Sequence, residues 1–364
     1  MTATSFPNLT AVIDEGINRG LHTAVQVYVS QNGQTLVNDG FGEASPGVPM
    51  SAETVMLWRS AGKPVTAAAV LKACSSGQLS LDHDLESYIP EAHGTALEGI
   101  TLRQMLSHSS GIPLIETGWP HASPSEILHR ILSIERLTTE AAYQPQSTWF
   151  LLATVLQNTD PQQRGINSIL QQEVFAPLGI TEAWCGIPAA ELAQLNDRLP
   201  TYYLRDKGQL VFSDYSGGSW LTETSPGGNI RGPIAGLGRF YEMLLTGQNR
   251  NIPYIVLDAN TIQQLTTPQR VNQFDTTLQH TIDFGLGVIL NSNQYGVDTV
   301  PYGFSQYCST ASFGHGGAQC AMGFCDPEHN LVVAWAANGF CGEGQHQRRN
   351  RAINEAIYAD LQLT

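Results

Sequence analysis

Residues Ser60-Ala61-Gly62-Lys63 set a hydroxyl and an amine three positions apart, directly before the small apolar run PVTAAAV. If a helix starts here, the two side chains project from one face. A serine hydroxyl is a weak nucleophile until a neighbouring base takes its proton. A lysine can be that base only when burial or a nearby cation lowers its pKa. Val55-Met56-Leu57 on one side and Ala67-Ala68-Ala69-Val70 on the other supply apolar surroundings. A serine in a first helical turn also brings backbone N–H groups and the positive end of the helix to a developing oxyanion. Serine is equally a favoured helix N-cap, and proline is common in a first turn. By themselves these four residues leave an ordinary helix start open.

The elements that would position them follow from the hydrophobic pattern. Leu9, Val12, Ile13 and Ile17 repeat at helical spacing, so a first helix is expected over Asn8–Gly20. AVQVYVSQNGQTLVNDGFG alternates and breaks at Asn32-Gly33, which predicts a strand, a tight turn and a second strand. Helices are expected over Pro64–Ala73, from Thr101 as cap, over Pro124–Ile134 with Ser123 as cap, over Ile166–Phe175, and over Gly232–Gly247. DFGLGVIL, AQCAMGFCD and LVVAWAANG read as strands, followed by a last helix over about Asn350–Leu361. The expected fold class is α+β. The first and last strands form one antiparallel sheet, flanked by the terminal helices, with an all-helical insertion beside it. The chain is then one unit, its α/β part at about 1–75 and 280–364 and its helical part at about 76–279. The cleft between sheet and insertion is the natural ligand site.

Of the 364 residues, 42% are hydrophobic and 14% charged, which suits a large buried core. The net charge of −14 argues against nucleic acid and anionic membrane surfaces as partners, because no basic stripe exists to meet phosphates. The one basic cluster, Arg348-Arg349 with Arg351, reads as a solvated helix face. The N-terminal residues lack the basic and apolar regions of a signal peptide, and no stretch has the roughly 18 apolar residues of a membrane span. The expectation is a cytoplasmic protein with free thiols. Cys308, Cys320, Cys325 and Cys341 crowd together but lack the paired C-x2-C of zinc sites, so no metal and no cofactor is expected. The expected partner is a small-molecule substrate; oligomeric state is open.

WRSAGKPVTAAAV resembles the nucleophile helix of the serine β-lactamase and penicillin-binding-protein superfamily, and most of all that of class C β-lactamases and family VIII esterases. SLDHDLESYIP, ITLRQMLSHSSGIP, EVFAPLGI, SPGGNIRGPIAGLGRFYEMLL and FGHGGAQCAMGFCDPEHNLVVAWAANG resemble further family segments, in the family's order and over nearly the whole chain. The resemblance implies a β-lactamase/transpeptidase-like fold. It implies Ser60 as the acylated nucleophile, Lys63 as its base, and the N–H groups of Ser60 and Ala318 as the oxyanion hole. His315-Gly316-Gly317 takes the place of the family's Lys-Thr-Gly strand, with His315 replacing the lysine. His108, in SHSSG, is expected to pack and hydrogen-bond beneath the site.

The family's second motif, Tyr-x-Asn, is where the pattern fails. Matching YQPQSTWFLLATVLQ through Pro145 and Trp149 puts Leu151 at the tyrosine position and Ala153 at the asparagine position. A match further on leaves the motif deleted. Tyr143, Tyr202, Tyr203 and Tyr215 are the candidate substitutes, though each such tyrosine is more often a core or surface residue. Trp119, Trp149, Trp220 and Tyr302 are candidates to line the cleft, and the glycine pairs at 217–218 and 227–228 suggest close-approach or mobile loops at its rim. The expectation is a serine hydrolase of esterase or amidase type, nearer a carboxylesterase than a true β-lactamase, acting through an acyl-enzyme. The alternatives are an acyltransferase with the same nucleophile, and a non-catalytic binding protein on this fold.

Overall fold

A computed structural model of the protein describes residues 6–247 and 256–364. Its centre is a seven-stranded antiparallel sheet. The strands are β1 (Ala24–Gln31), β2 (Gln34–Ser45), β3 (Val48–Pro49), β4 (Ile289–Leu290), β5 (Phe313–Gly317), β6 (Ala321–Asp326) and β7 (Leu331–Ala337), in the order β4-β5-β6-β7-β1-β2-β3. The chain's first and last strands meet at β1 and β7, where Val27 faces Trp335. β1 turns into β2 through Asn32 and Gly33, both at positive φ, the geometry a two-residue hairpin needs.

Side-chain alternation gives the sheet two buried faces. Val25, Val27, Val29, Phe324 and Trp335 pack under the terminal helices α1 (Pro7–Asn18) and α5 (Glu343–Asp360). Tyr28, Ala321, Cys325 and Ala334 lie in the larger core, which also takes in the helices α2 (Lys63–Ser75), α3 (Ser147–Thr159) and α4 (Ile234–Thr246). Helix α4 ends at Gly247, which sits at φ +71° as a C-cap. The helices that open at Leu102 and Pro124 carry capping boxes from Thr101 and Ser123, because each has Gln or Glu three residues on.

Several expectations are corrected. The segment expected to be all helical, 76–279, also holds short strands: Trp184–Cys185 and Ile230–Gly232 pair with each other, and Tyr203–Asp206 with Gln209–Phe212. Helix α4, from the same segment, covers the sheet itself. DFGLGVIL contributes only Ile289–Leu290 as strand, since Gly287 takes φ +80° just before it. Helix α3 was read as motif rather than helix, and α5 starts seven residues before the expected Asn350. Arg349 is not on a solvated face. It is 4% exposed, and its guanidinium donates to Leu21 O, Gln319 O and Gly339 O at 3.0, 2.7 and 3.1 Å. No helix among the described residues is long and apolar enough to cross a membrane.

Candidate active site

The backbone leading to Ser60 is fixed from both sides. Met56–Leu57 pairs with Ile230–Gly232, Leu57 N–H donates to the Tyr202 hydroxyl at 2.6 Å, and Trp58 Nε1 donates to Gly232 O at 2.9 Å. Arg59 then adopts φ +50°, a conformation a non-glycine residue keeps only where its surroundings impose it. Its guanidinium lies over the rings of Tyr215 and Phe340, 4.0 and 4.8 Å from their centroids. A 3₁₀ turn, Arg59–Gly62, runs directly into α2. The N–H of Ser60 belongs to the first turn, where helices supply no internal acceptor.

Lys63 is fully buried beneath this turn. Its Nζ lies 3.1 Å from Ser60 Oγ and donates to Pro145 O at 2.8 Å and to Gly227 O at 2.5 Å. Burial, and then the charge of Arg59, hold its pKa well below the usual lysine range. Gly227 is glycine because a Cβ there would sit 2.6 Å from Trp149 Cγ, so its carbonyl reaches Lys63 only with no side chain behind it.

The acceptor Pro145 belongs to the loop before α3. His108 Nδ1 accepts from Gln144 N–H at 3.0 Å, Trp149 Nε1 donates to Gln144 O at 3.1 Å, and the Gln144 side-chain amide donates to Ile112 O. His108 therefore sits beneath the site, 4.6 Å ring to ring from Tyr143. Tyr143 is 7% exposed, lies within interaction range of the Ser60 side chain, and stands with its ring centroid 5.4 Å from Lys63 Nζ. Burial raises its phenol well above the usual range, so it is held protonated.

Strand β5 forms the opposite wall. A Cβ on Gly317 would lie 2.4 Å from Trp58 O, so the strand can lie this close to the Ser60 turn only as glycine. His315 is 2% exposed, and its Nδ1 bonds Gly316 O at 2.7 Å, which assigns the proton to Nδ1. Burial, then Lys63, lowers its pKa to about 3, so it is neutral at ordinary pH. A neutral ring stands where the family pattern has a cation.

These residues surround a cavity of about 480 Å³, lined by Ser60, Tyr143, Pro145, His315, Gly316 and Ala318 on the Ser60 side. Of the residues singled out in the sequence, Lys63 lies under Ser60 and Gly317 backs onto Trp58. Tyr302 also lines the cavity, and Trp149 supports the floor. Trp119 lines a separate cavity of about 220 Å³ and packs against Trp220, with ring centroids 5.1 Å apart. Leu151 and Ala153, read as occupying the motif positions, are buried in α3 among core residues. Tyr143 is the tyrosine that lines the cavity with Ser60; Tyr202 is tied to Leu57 and Tyr215 lies under Arg59. The signal was Tyr143-Gln144-Pro145: tyrosine at the family spacing, with proline in place of asparagine.

The beta-lactamase family profile matches residues 9–358. A 110-residue stretch is 28% identical to Esterase EstB of Burkholderia gladioli, covering 29% of this chain and 28% of that protein's length. The crystal structure of a family VIII carboxylesterase superposes with a TM-score of 0.78 at 19% identity, over 98% of this chain and 97% of that one. EstCE1, described as a hydrolase with promiscuous acyltransferase activity, superposes with a TM-score of 0.76 at 17% identity, over 96% and 97%.

Proposed function

The chain belongs to the beta-lactamase family, and we propose that within it this protein is a serine hydrolase that cleaves small-molecule esters or amides through an acyl-enzyme on Ser60. One observation carries the reading. A neutral amine has two hydrogens and one lone pair. Pro145 O and Gly227 O take the two hydrogens of Lys63, which leaves the lone pair for the hydroxyl proton of Ser60, 3.1 Å away. The lowered pKa of Lys63 favours that neutral form.

Ser60 Oγ attacks the substrate carbonyl carbon while its proton moves to Lys63 Nζ. The oxyanion that forms is held by the N–H groups of Ser60 and Ala318. As the tetrahedral intermediate collapses, the phenol of Tyr143 gives its proton to the leaving oxygen or nitrogen and is reprotonated from Lys63. Water then adds to the acyl group, its proton passing to the Tyr143–Lys63 pair, and Ser60 departs with that proton. An alcohol or amine in place of water makes the same cycle an acyl transfer; the likeness in fold to EstCE1 favours keeping this second reading.

The test is intact-protein mass after incubation with a fluorophosphonate and, separately, a β-lactam. The expected result is an adduct on the native chain that Ser60→Ala and Lys63→Ala abolish. Absence of an adduct with both reagents would overturn the hydrolase reading in favour of a binding protein.

A further inference from the structure

The far wall of the cavity is built differently from the nucleophile side. Glu343, at the start of α5, lines it together with Tyr302, Gln347 and His280. The Tyr302 hydroxyl donates to Glu343 Oε2 at 2.8 Å, and the Gln347 amide donates to the same oxygen at 3.4 Å. Gln347 in turn accepts from Tyr302 N–H at 2.8 Å through Oε1, so ring and carboxylate are tied into one unit. The Tyr302 ring is 7% exposed and presses on Gly316, where a Cβ would lie 2.2 Å from its Cδ1. The carboxylate is thus linked through one aromatic ring to the strand beside the nucleophile. Among the described residues lining the cavity there is no lysine or arginine. His280, also on this wall, bonds Thr299 Oγ1 at 3.0 Å and Thr281 O at 2.9 Å.

We propose that this wall is a recognition subsite for a cationic group, an ammonium or quaternary ammonium carried on the acyl part of the substrate, with Glu343 as its counter-charge and the Tyr302 ring as its aromatic face. The proposal rests on the hydrolase reading for the reaction, but the binding it claims does not depend on catalysis. An oriented carboxylate beside an aromatic ring attracts a cation through charge and ring quadrupole together. The same wall repels a substrate carboxylate, for which the cavity offers no matching cation. The chain's net charge of −14 draws cations toward the protein and anions away.

The experiment uses three phenyl butyrate esters of matched shape, capped at the acyl end by trimethylammonium, tert-butyl or carboxylate. Binding to the Ser60→Ala protein is followed by titration calorimetry, so that no turnover is needed. The ammonium ester is expected to bind on the order of tenfold more tightly than the tert-butyl ester. The carboxylate ester is expected to bind most weakly, and the ammonium preference to shrink as salt rises. Adding Glu343→Gln should bring the ammonium and tert-butyl esters to within about twofold, as expected once a charge-assisted contact is removed. Equal affinities in Ser60→Ala, undetectable ammonium binding, or a preference that survives Glu343→Gln would overturn the subsite. Failure of the hydrolase reading would show instead as no adduct on the native chain with either the fluorophosphonate or the β-lactam.

Discussion

Among single residues, the proposed proton path turns on Tyr143. The family spacing of tyrosine to asparagine is kept as Tyr143 to Pro145, and what is lost is a side-chain amide. At that position a backbone carbonyl, Pro145 O, accepts from Lys63 at 2.8 Å. Proline is tolerable here because only a carbonyl is needed, and proline retains one. Tyr143→Phe keeps the ring against His108 and Phe284 and removes only the hydroxyl. Its kcat on a phenyl ester should fall by roughly 10² to 10⁴, the worth of a positioned acid–base group, with KM little changed. Steady-state kinetics check this, and an unchanged kcat would move the acid role elsewhere. The native enzyme's kcat/KM should also rise with pH and level off well below the usual lysine range, because the lowered pKa of Lys63 makes it neutral there.

For the elements, the site depends on two stretches of backbone approaching the nucleophile helix α2. Thr66 Oγ1 on α2 donates to Pro226 O at 2.8 Å, next to the Gly227 carbonyl that Lys63 uses. Trp149 on α3 closes that loop from the other side. Gly227→Ala forces a methyl into the indole, a strain on the order of 1–3 kcal/mol for overpacking. The expected outcome is a lower Tm and a lower kcat together, since the displaced carbonyl is an acceptor of the base. Calorimetry and kinetics on one preparation read both. A fall in Tm with kcat intact would show that Lys63 needs only Pro145.

Taken as a whole, the molecule keeps several histidines neutral by burying them. The pKa values of His22 and His315 are lowered to about 3, and those of His108 and His346 to well below the usual value, in each case first by burial. In the unfolded chain each takes up a proton near pH 6.5. Folded pKa values below unfolded ones mean that this stability is complete above about pH 6.5 and is lost as pH falls toward 3. Each such proton changes the stability by about 1.4 kcal/mol per pH unit within that window. Urea unfolding at stepped pH should therefore give a midpoint that declines from pH 6.5 to 4, and less steeply in His346→Gln. A flat profile would mean that these rings are charged or hydrated in the fold.

The sequence by itself determined the parts that rest on local chemistry. Periodicity placed α1, α2, β1 and β2, Asn32-Gly33 placed their hairpin, and it was the family resemblance that singled out Ser60, Lys63 and the strand His315–Gly317. The sequence also placed the antiparallel sheet shared by the two ends of the chain and, through the resemblance, the family. What only the tertiary structure decided is long-range. That Pro145 and Gly227 are the partners of Lys63 follows from two loops meeting on α2, distances no local pattern encodes. The same holds for Tyr143, whose three equally plausible rivals differ from it only in where the chain carries them. Arg349 looked solvated beside Arg348 and Arg351 because composition cannot say which side of a helix faces the sheet. Glu343 carries no local signal in the sequence; the fold alone sets it on the wall of the cavity that holds Ser60.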